Sequence, residues 1–251
     1  MAKPTRRIPS ESDVPLDFHK QEHDAKLAKA KAELEATPYA MRLVDMGLLG
    51  KGSDEFTKIR DAIATMRYYG MDDENLERML GCLGEGQFHF DKLWGRNLLK
   101  KEDIFGKFYE RSGISRVRVE EAVRELTEAL RTAHERRFRG LKGANPTAYF
   151  GIREALLNRI REYDLQKHPD DIKIDARMKG KYIDLLEQNE SNYHHLAFLL
   201  GITFRDAYHN SGAIMKEIHL KKGRFWHPDL YWALTTLTHE IEEKEKKKTT
   251  T

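Results

Sequence analysis

The spacing of apolar side chains constrains this chain more than any other feature. Val119, Ala122, Val123, Leu126, Ala129, Leu130 and Ala133 recur at steps of three and four residues. That repeat lines up side chains on one face of an α-helix. The same steps return in Phe56, Ile59, Ile63 and Met66, and again in Leu76, Met79, Leu80 and Leu83. Nowhere do apolar and polar residues alternate as they would along a half-buried strand. No internal repeat is present. The expected fold class is all-α.

Turn-forming residues divide the helices. Gly50 and Gly52 end a short apolar run, and Ser53 or Asp54 caps the next helix. Gly70 ends that one, and Asp72 or Asp73 opens another. Gly84, Gly86 and Gly95 mark an aromatic connection through Phe88, Phe90 and Trp94. Gly113 separates a short helix at 101–111 from a long one at about 116–138. Gly140, Gly143 and Asn145-Pro146 are expected to break the long helix, with Thr147 capping its successor. Further helices are expected near 203–219 and 228–245, before a disordered tail rich in Lys and Thr. The expected layout is an extended arm and exposed helix over 1–38, a small helical subdomain over 39–97, a core over 98–202 and a helical extension over 203–251.

Composition narrows the function classes. Charged residues make up 34% of the 251-residue chain, yet the net charge is only +3. Any affinity for nucleic acid must therefore come from local patches. A single cysteine, Cys82, excludes an intramolecular disulfide framework. No apolar run approaches the roughly 18 to 20 residues that span a bilayer. The first residues carry Lys3, Arg6 and Arg7 without an apolar segment, so a secretory signal is not expected. Their lack of early acids is presequence-like, but Pro4 and Pro9 spoil an amphipathic helix.

One local patch stands out. Between positions 131 and 142, Arg131, Arg136, Arg137, Arg139 and Lys142 face Glu135 alone. An apolar helix stripe that runs into clustered guanidinium groups can pack on a domain and hold a phosphate backbone together. The plainer alternative is a solvated helix end, because cations favour the negative end of the helix dipole.

Catalytic and metal chemistry find little support. Gly47–Ser53 lacks the spacing of a phosphate loop and no strand precedes it. His19 and His23 lie four apart without a third ligand nearby. His194 and His195 are adjacent, so they face different sides of a helix. His239-Glu240 lacks the second histidine of a zinc helix. Cys82 reads as a small packing residue, and Asp170-Asp171 as a helix cap after Pro169. No enzyme activity, cofactor or metal is expected. The basic aromatic segment Arg224-Phe225-Trp226, with Tyr231 and Trp232, is a second contact candidate, either for stacking or simply for docking the last helix.

Residues 98–202 resemble the universal fifteenth protein of the small ribosomal subunit, a four-helix rRNA-binding family. Lys100–Phe108 (KKEDIFGKF) is similar to its short first helix, and LTEALRTAH at 126–134 to its long second helix. RRFRGLK at 136–142 resembles the segment that opens the third. KYIDLL at 181–186 is similar to the twin-Leu helix that follows. Tyr193-x-x-Leu196-Ala197-x-x-Leu200-Gly201-Ile202 fits the family's closing helix. The middle admits two matchings that exclude each other: Leu156-Leu157-Asn158 to the twin-Leu helix, with an insertion, or 150–171, ending His168-x-x-Asp171, to the second helix and its turn. Ile174 stands where the family has a serine.

The resemblance implies a four-helix ribosomal core with helical extensions at both ends. It also implies structural binding to small-subunit rRNA through shape and phosphate contacts. Arg131, His134, Arg136, Arg137, Arg139 and Lys142 would carry most of that contact. Lys179 and Lys181 would add a second edge, and His168 with Asp171 a polar contact. The long extensions and low net charge point to a mitochondrial ribosome. The expected partners are then small-subunit rRNA and neighbouring ribosomal proteins, with no membrane and no small-molecule substrate. The alternative is a helical protein–protein adaptor in a large assembly, without direct RNA contact.

Overall fold

A computed structural model describes residues 16–84, 113–161, 176–209 and 226–249. Their order is α1 (Leu16–Asp45), α2 (Asp54–Tyr68), α3 (Asp73–Gly84), α4 (Gly113–Ala144), α5 (Pro146–Arg161), α6 (Ala176–Gln188), α7 (Glu190–Leu199), α8 (Phe204–His209) and α9 (Trp226–Thr249). The fold is all-α, as the apolar spacing requires. The expected helix at 101–111 and the aromatic connection at 86–95 lie outside the described residues. So do most of 203–219 and the side chains of 224–229, 231 and 232.

Caps set several boundaries. Ser53 is extended, and its hydroxyl accepts a hydrogen bond from the Phe56 amide at 3.1 Å. Asp54 and Glu55 then occupy the first turn of α2, where negative charge meets the positive end of the helix dipole. Asp72 accepts from the Asn75 amide at 2.9 Å and opens α3. Asn145, rather than Thr147, caps α5, accepting from the Ala148 amide at 3.2 Å.

Three helices run further than their residues predict. α1 passes through Pro38, so the expected break between 38 and 39 falls inside a helix. Proline cannot donate to the carbonyl of Leu34, but Leu34 is 76% exposed and water can serve that carbonyl. α4 passes through Gly140 and Gly143 because Phe138 and Leu141 are fully buried and hold the last turns against the core. α9 continues to Thr249 instead of ending in a loose tail. Glu242, Glu243 and Glu245 are strong helix formers beside Lys246–Lys248, and the Thr249 hydroxyl donates to the Glu245 carbonyl at 3.0 Å.

α1 packs on α2, and α2 packs on α4. α4 in turn contacts α5 and α7. α5, α6 and α7 pack in sequence, and α9 lies on α7. The buried apolar residues from Ala32 to Leu237, Ala148 apart, form one cluster. The apolar residues of 39–84 therefore share a core with those of 119–202. α1 joins it only from Ala32, through Ala32, Ala36, Ala40 and Leu43. The preceding residues, Glu22–Lys31, are exposed on all sides of the helix.

Candidate nucleic-acid interface

The C-terminal half of α4 packs Leu126, Leu130, Ala133, Phe138 and Leu141 inward. Its cations then fan out at different depths. Arg131 is pinned between Glu128 and Glu135, with the Glu135 contact at 2.6 Å. Arg137 is half-buried: it donates to the Gly47 carbonyl at 2.7 Å and its guanidinium lies 4.8 Å from the Phe204 ring centroid. Gly47 itself has φ +76°, and Arg205 crowds the place where a Cβ would stand. Burial lowers the Arg137 pKa from its ordinary value.

Arg136 and Arg139 reach solvent, with side chains 62% and 58% exposed. Arg136 also closes over the buried carboxylate of Glu55 at 2.8 Å. Arg139 lies 3.9 Å from Glu135 and donates to the Ser191 hydroxyl at 3.3 Å. Lys142 pairs with Glu190, and that partner holds the Glu190 carboxyl below its usual range. Its ammonium also lies 5.7 Å from the Tyr149 ring centroid and 5.8 Å from that of Phe150.

His134 is a correction. It was expected to face RNA, but it is only 5% exposed. It stands at a stripe position of α4, packs 4.4 Å from the Phe138 ring and bonds the Ile202 carbonyl. Burial pushes its pKa down to about 4, which keeps the ring neutral at physiological pH. A neutral, buried imidazole does not reach phosphate.

The second expected edge lies on α6. Lys179 donates to the Arg161 carbonyl at 2.6 Å, and Lys181 is exposed. Arg161, at the end of α5, pairs with Glu187 at 2.6 Å. α5 thus links the two edges, and a helix of 16 residues is about 24 Å long. His168 and Asp171 lie outside the described residues.

Glycines mark the two edges. Gly140, Gly143 and Gly180 are exposed, helical, and have nothing within 4 Å of where a Cβ would stand. Packing does not require them, although an interior helical glycine costs about 0.5–1 kcal/mol relative to alanine. Each adjoins a cation: Arg139-Gly140, Lys142-Gly143 and Lys179-Gly180-Lys181. Arg136, Gly140 and Gly143 follow one another by four and three residues, so they share one face of α4. The result is bare helix backbone flanked by positive charge. Gly81 in α3 is equally open and follows Arg78 by three residues, but that cation pairs with Glu74.

The other buried histidines and the cysteine form packing contacts. His194 is fully buried, lies 3.3 Å from the Tyr149 hydroxyl and has its pKa pushed down to about 4 by burial. His195 meets Glu240 of α9 at 3.3 Å, and burial raises the pKa of that carboxyl. Cys82 is buried. Among the described residues, no group of three His, Cys, Asp or Glu side chains could hold a metal. Among the same residues, no helix is long and apolar enough to cross a membrane.

RRFRGLK is expected to open a helix, and here the structure differs: α4 passes through His134 and Arg136 without interruption, so the segment ends a helix. No family model matches this chain, and no curated protein or solved structure matches it.

Proposed function

We propose that this chain is a structural component of the mitochondrial small ribosomal subunit. In this reading it holds small-subunit rRNA against the end of α4 and the start of α6. The observation that carries it is the pairing of open glycines with cations at both edges. Phosphates can approach bare helix backbone closely and meet Arg136, Arg139, Lys179 and Lys181 there. The similarity of 181–202 to the ribosomal family supplies the assembly, and the family together with the long extensions supplies the compartment. No catalysis or cofactor is involved.

A protein–protein adaptor is the second reading. It is favoured by the internal engagement of Arg131, Arg137 and Lys142, which leaves fewer cations for RNA.

RNA crosslinking on native subunits, after the protein has been followed by sedimentation, separates the two. The proposal expects co-migration with the small subunit and crosslinks within 136–143 or 177–181. Crosslinks absent from both segments in the co-migrating protein favour the adaptor. A free, slowly sedimenting species overturns both. The informative charge reversals are Arg139→Glu and Lys181→Glu, which should weaken RNA binding and flatten its salt dependence with helicity intact. Reversal at Arg136 or Arg137 would also break contacts to Glu55 or Gly47, so it reports folding as well.

A further inference from the structure

A second cationic surface lies far along the sequence from α4's end. The exposed half of α1, the end of α2 and the start of α4 enclose a groove of about 430 Å³. Tyr68, Tyr69 and Ala64 give it apolar walls, while Lys26, Lys29 and Arg118 supply cations against the single carboxylate of Glu22. Tyr68 is 45% exposed, an unusual place for an aromatic ring on a solvated helix. The Tyr69 ring meets it edge to face at 5.2 Å and limits its rotation.

Two of the cations have partners that water already weakens. Lys26 pairs with Glu22 at 2.6 Å and Arg118 with Glu121 at 3.0 Å, all four side chains being about half exposed or more. Such pairs are worth little and exchange readily for a phosphate. Lys29 has no ion-pair partner among the described residues.

We propose that this groove takes one unstacked base of a single-stranded RNA segment. The face of the base lies on Tyr68 and the flanking phosphates on Lys26, Lys29 and Arg118. A planar apolar body with negative charge at its edges is the complement of apolar walls beneath a cationic rim. An inserted acidic peptide fits less well. The Thr65 hydroxyl in the groove already donates to the Asp61 carbonyl at 2.9 Å. Buried peptide amides would find few partners there, whereas a stacked base keeps its polar edge in water. The groove shares no residue with the α4 and α6 edges, so the two readings stand or fall separately.

The test uses the full chain and a short oligouridylate carrying 4-thiouridine. Photocrosslinking should join the oligonucleotide to the α2 peptide that contains Tyr68. Tyr68→Ala should weaken binding about 5- to 150-fold, while Tyr68→Phe retains it. Replacing Lys29 and Arg118 with glutamine should reduce the slope of log affinity against log salt by roughly 1.4. Unchanged affinity in Tyr68→Ala, with unchanged helicity, overturns the inference. So does a glutamate-rich peptide that crosslinks at Tyr68 where the oligonucleotide does not. If the groove crosslink is missing while those at 136–143 persist, this site alone is lost. A groove crosslink without any at 136–143 or 177–181 overturns the rRNA edges and keeps the groove.

Discussion

Replacing the three open glycines by alanine should separate stability from binding. Gly140, Gly143 and Gly180 sit in helices, and no heavy atom lies within 4 Å of a Cβ added at any of them. Alanine therefore introduces no clash and removes the excess backbone entropy that glycine loses on folding. Gly140 and Gly180 are interior to their helices and should each contribute about 0.5–1 kcal/mol. Gly143 lies one residue before the end of α4, where fraying reduces the gain. The triple variant should gain about 1–2 kcal/mol, which for a chain of this size raises Tm by about 2–8 °C. Thermal melts followed by circular dichroism read the first half. Filter binding to small-subunit rRNA reads the second, and affinity should fall because three methyl groups now stand where the proposed contact places phosphates. An unchanged or lower Tm refutes the claim that the sites are sterically open. A higher Tm with undiminished RNA affinity refutes the claim that the bare backbone serves binding.

Other perturbations test the interior. Arg136→Ala leaves the buried Glu55 carboxylate without its cation, and because water reaches Arg136 the cost should be about 1–2 kcal/mol in urea unfolding. Adding Glu55→Gln should recover part of that loss, and strict additivity in the double variant would show the pair to be uncoupled. His134 and His194 both have folded pKa values of about 4, below the ordinary histidine value of 6.5. Their contribution is present above the unfolded pKa and lost as pH falls through the folded one. Stability should therefore drop between about pH 6.5 and 4, by on the order of 3 kcal/mol per ring. His134→Gln should flatten that profile in denaturant titrations across the window, and an unchanged profile would mean the ring is not buried neutral. Leu126→Ala empties a fully buried site and should cost about 2–5 kcal/mol, while Leu27→Ala on the exposed part of α1 should stay within about 0.5 kcal/mol. Equal costs would contradict the burial of one and the exposure of the other.

The chain's own spacing determined that it is helical and which face of each helix is apolar. Val119 through Ala133 repeat at helical steps, and all the residues of that stripe are buried. Ser53 caps the helix it was expected to cap, because capping depends on a few neighbouring atoms and is local. Helix ends were less legible. Glycine and proline carry local penalties of about 1 and 3 kcal/mol, and burial of Phe138 and Leu141 outweighs the former across Gly140 and Gly143.

Only the tertiary structure decided what the basic corner is made of. A sequence count sets five cations against Glu135 between 131 and 142. Folding brings up Glu55, Glu190 and the Gly47 carbonyl from 81, 48 and 90 residues away, and three of those cations meet them. No local rule foresees such partners, because ion pairing is set by distance in space rather than along the chain. The same holds for His134, whose position on the stripe made it as much a core residue as a ligand. In the sequence alone, Gly140 and Gly143 are helix breakers. Their meaning changed once the space around each was known, since an empty Cβ position is a property of the packed molecule alone.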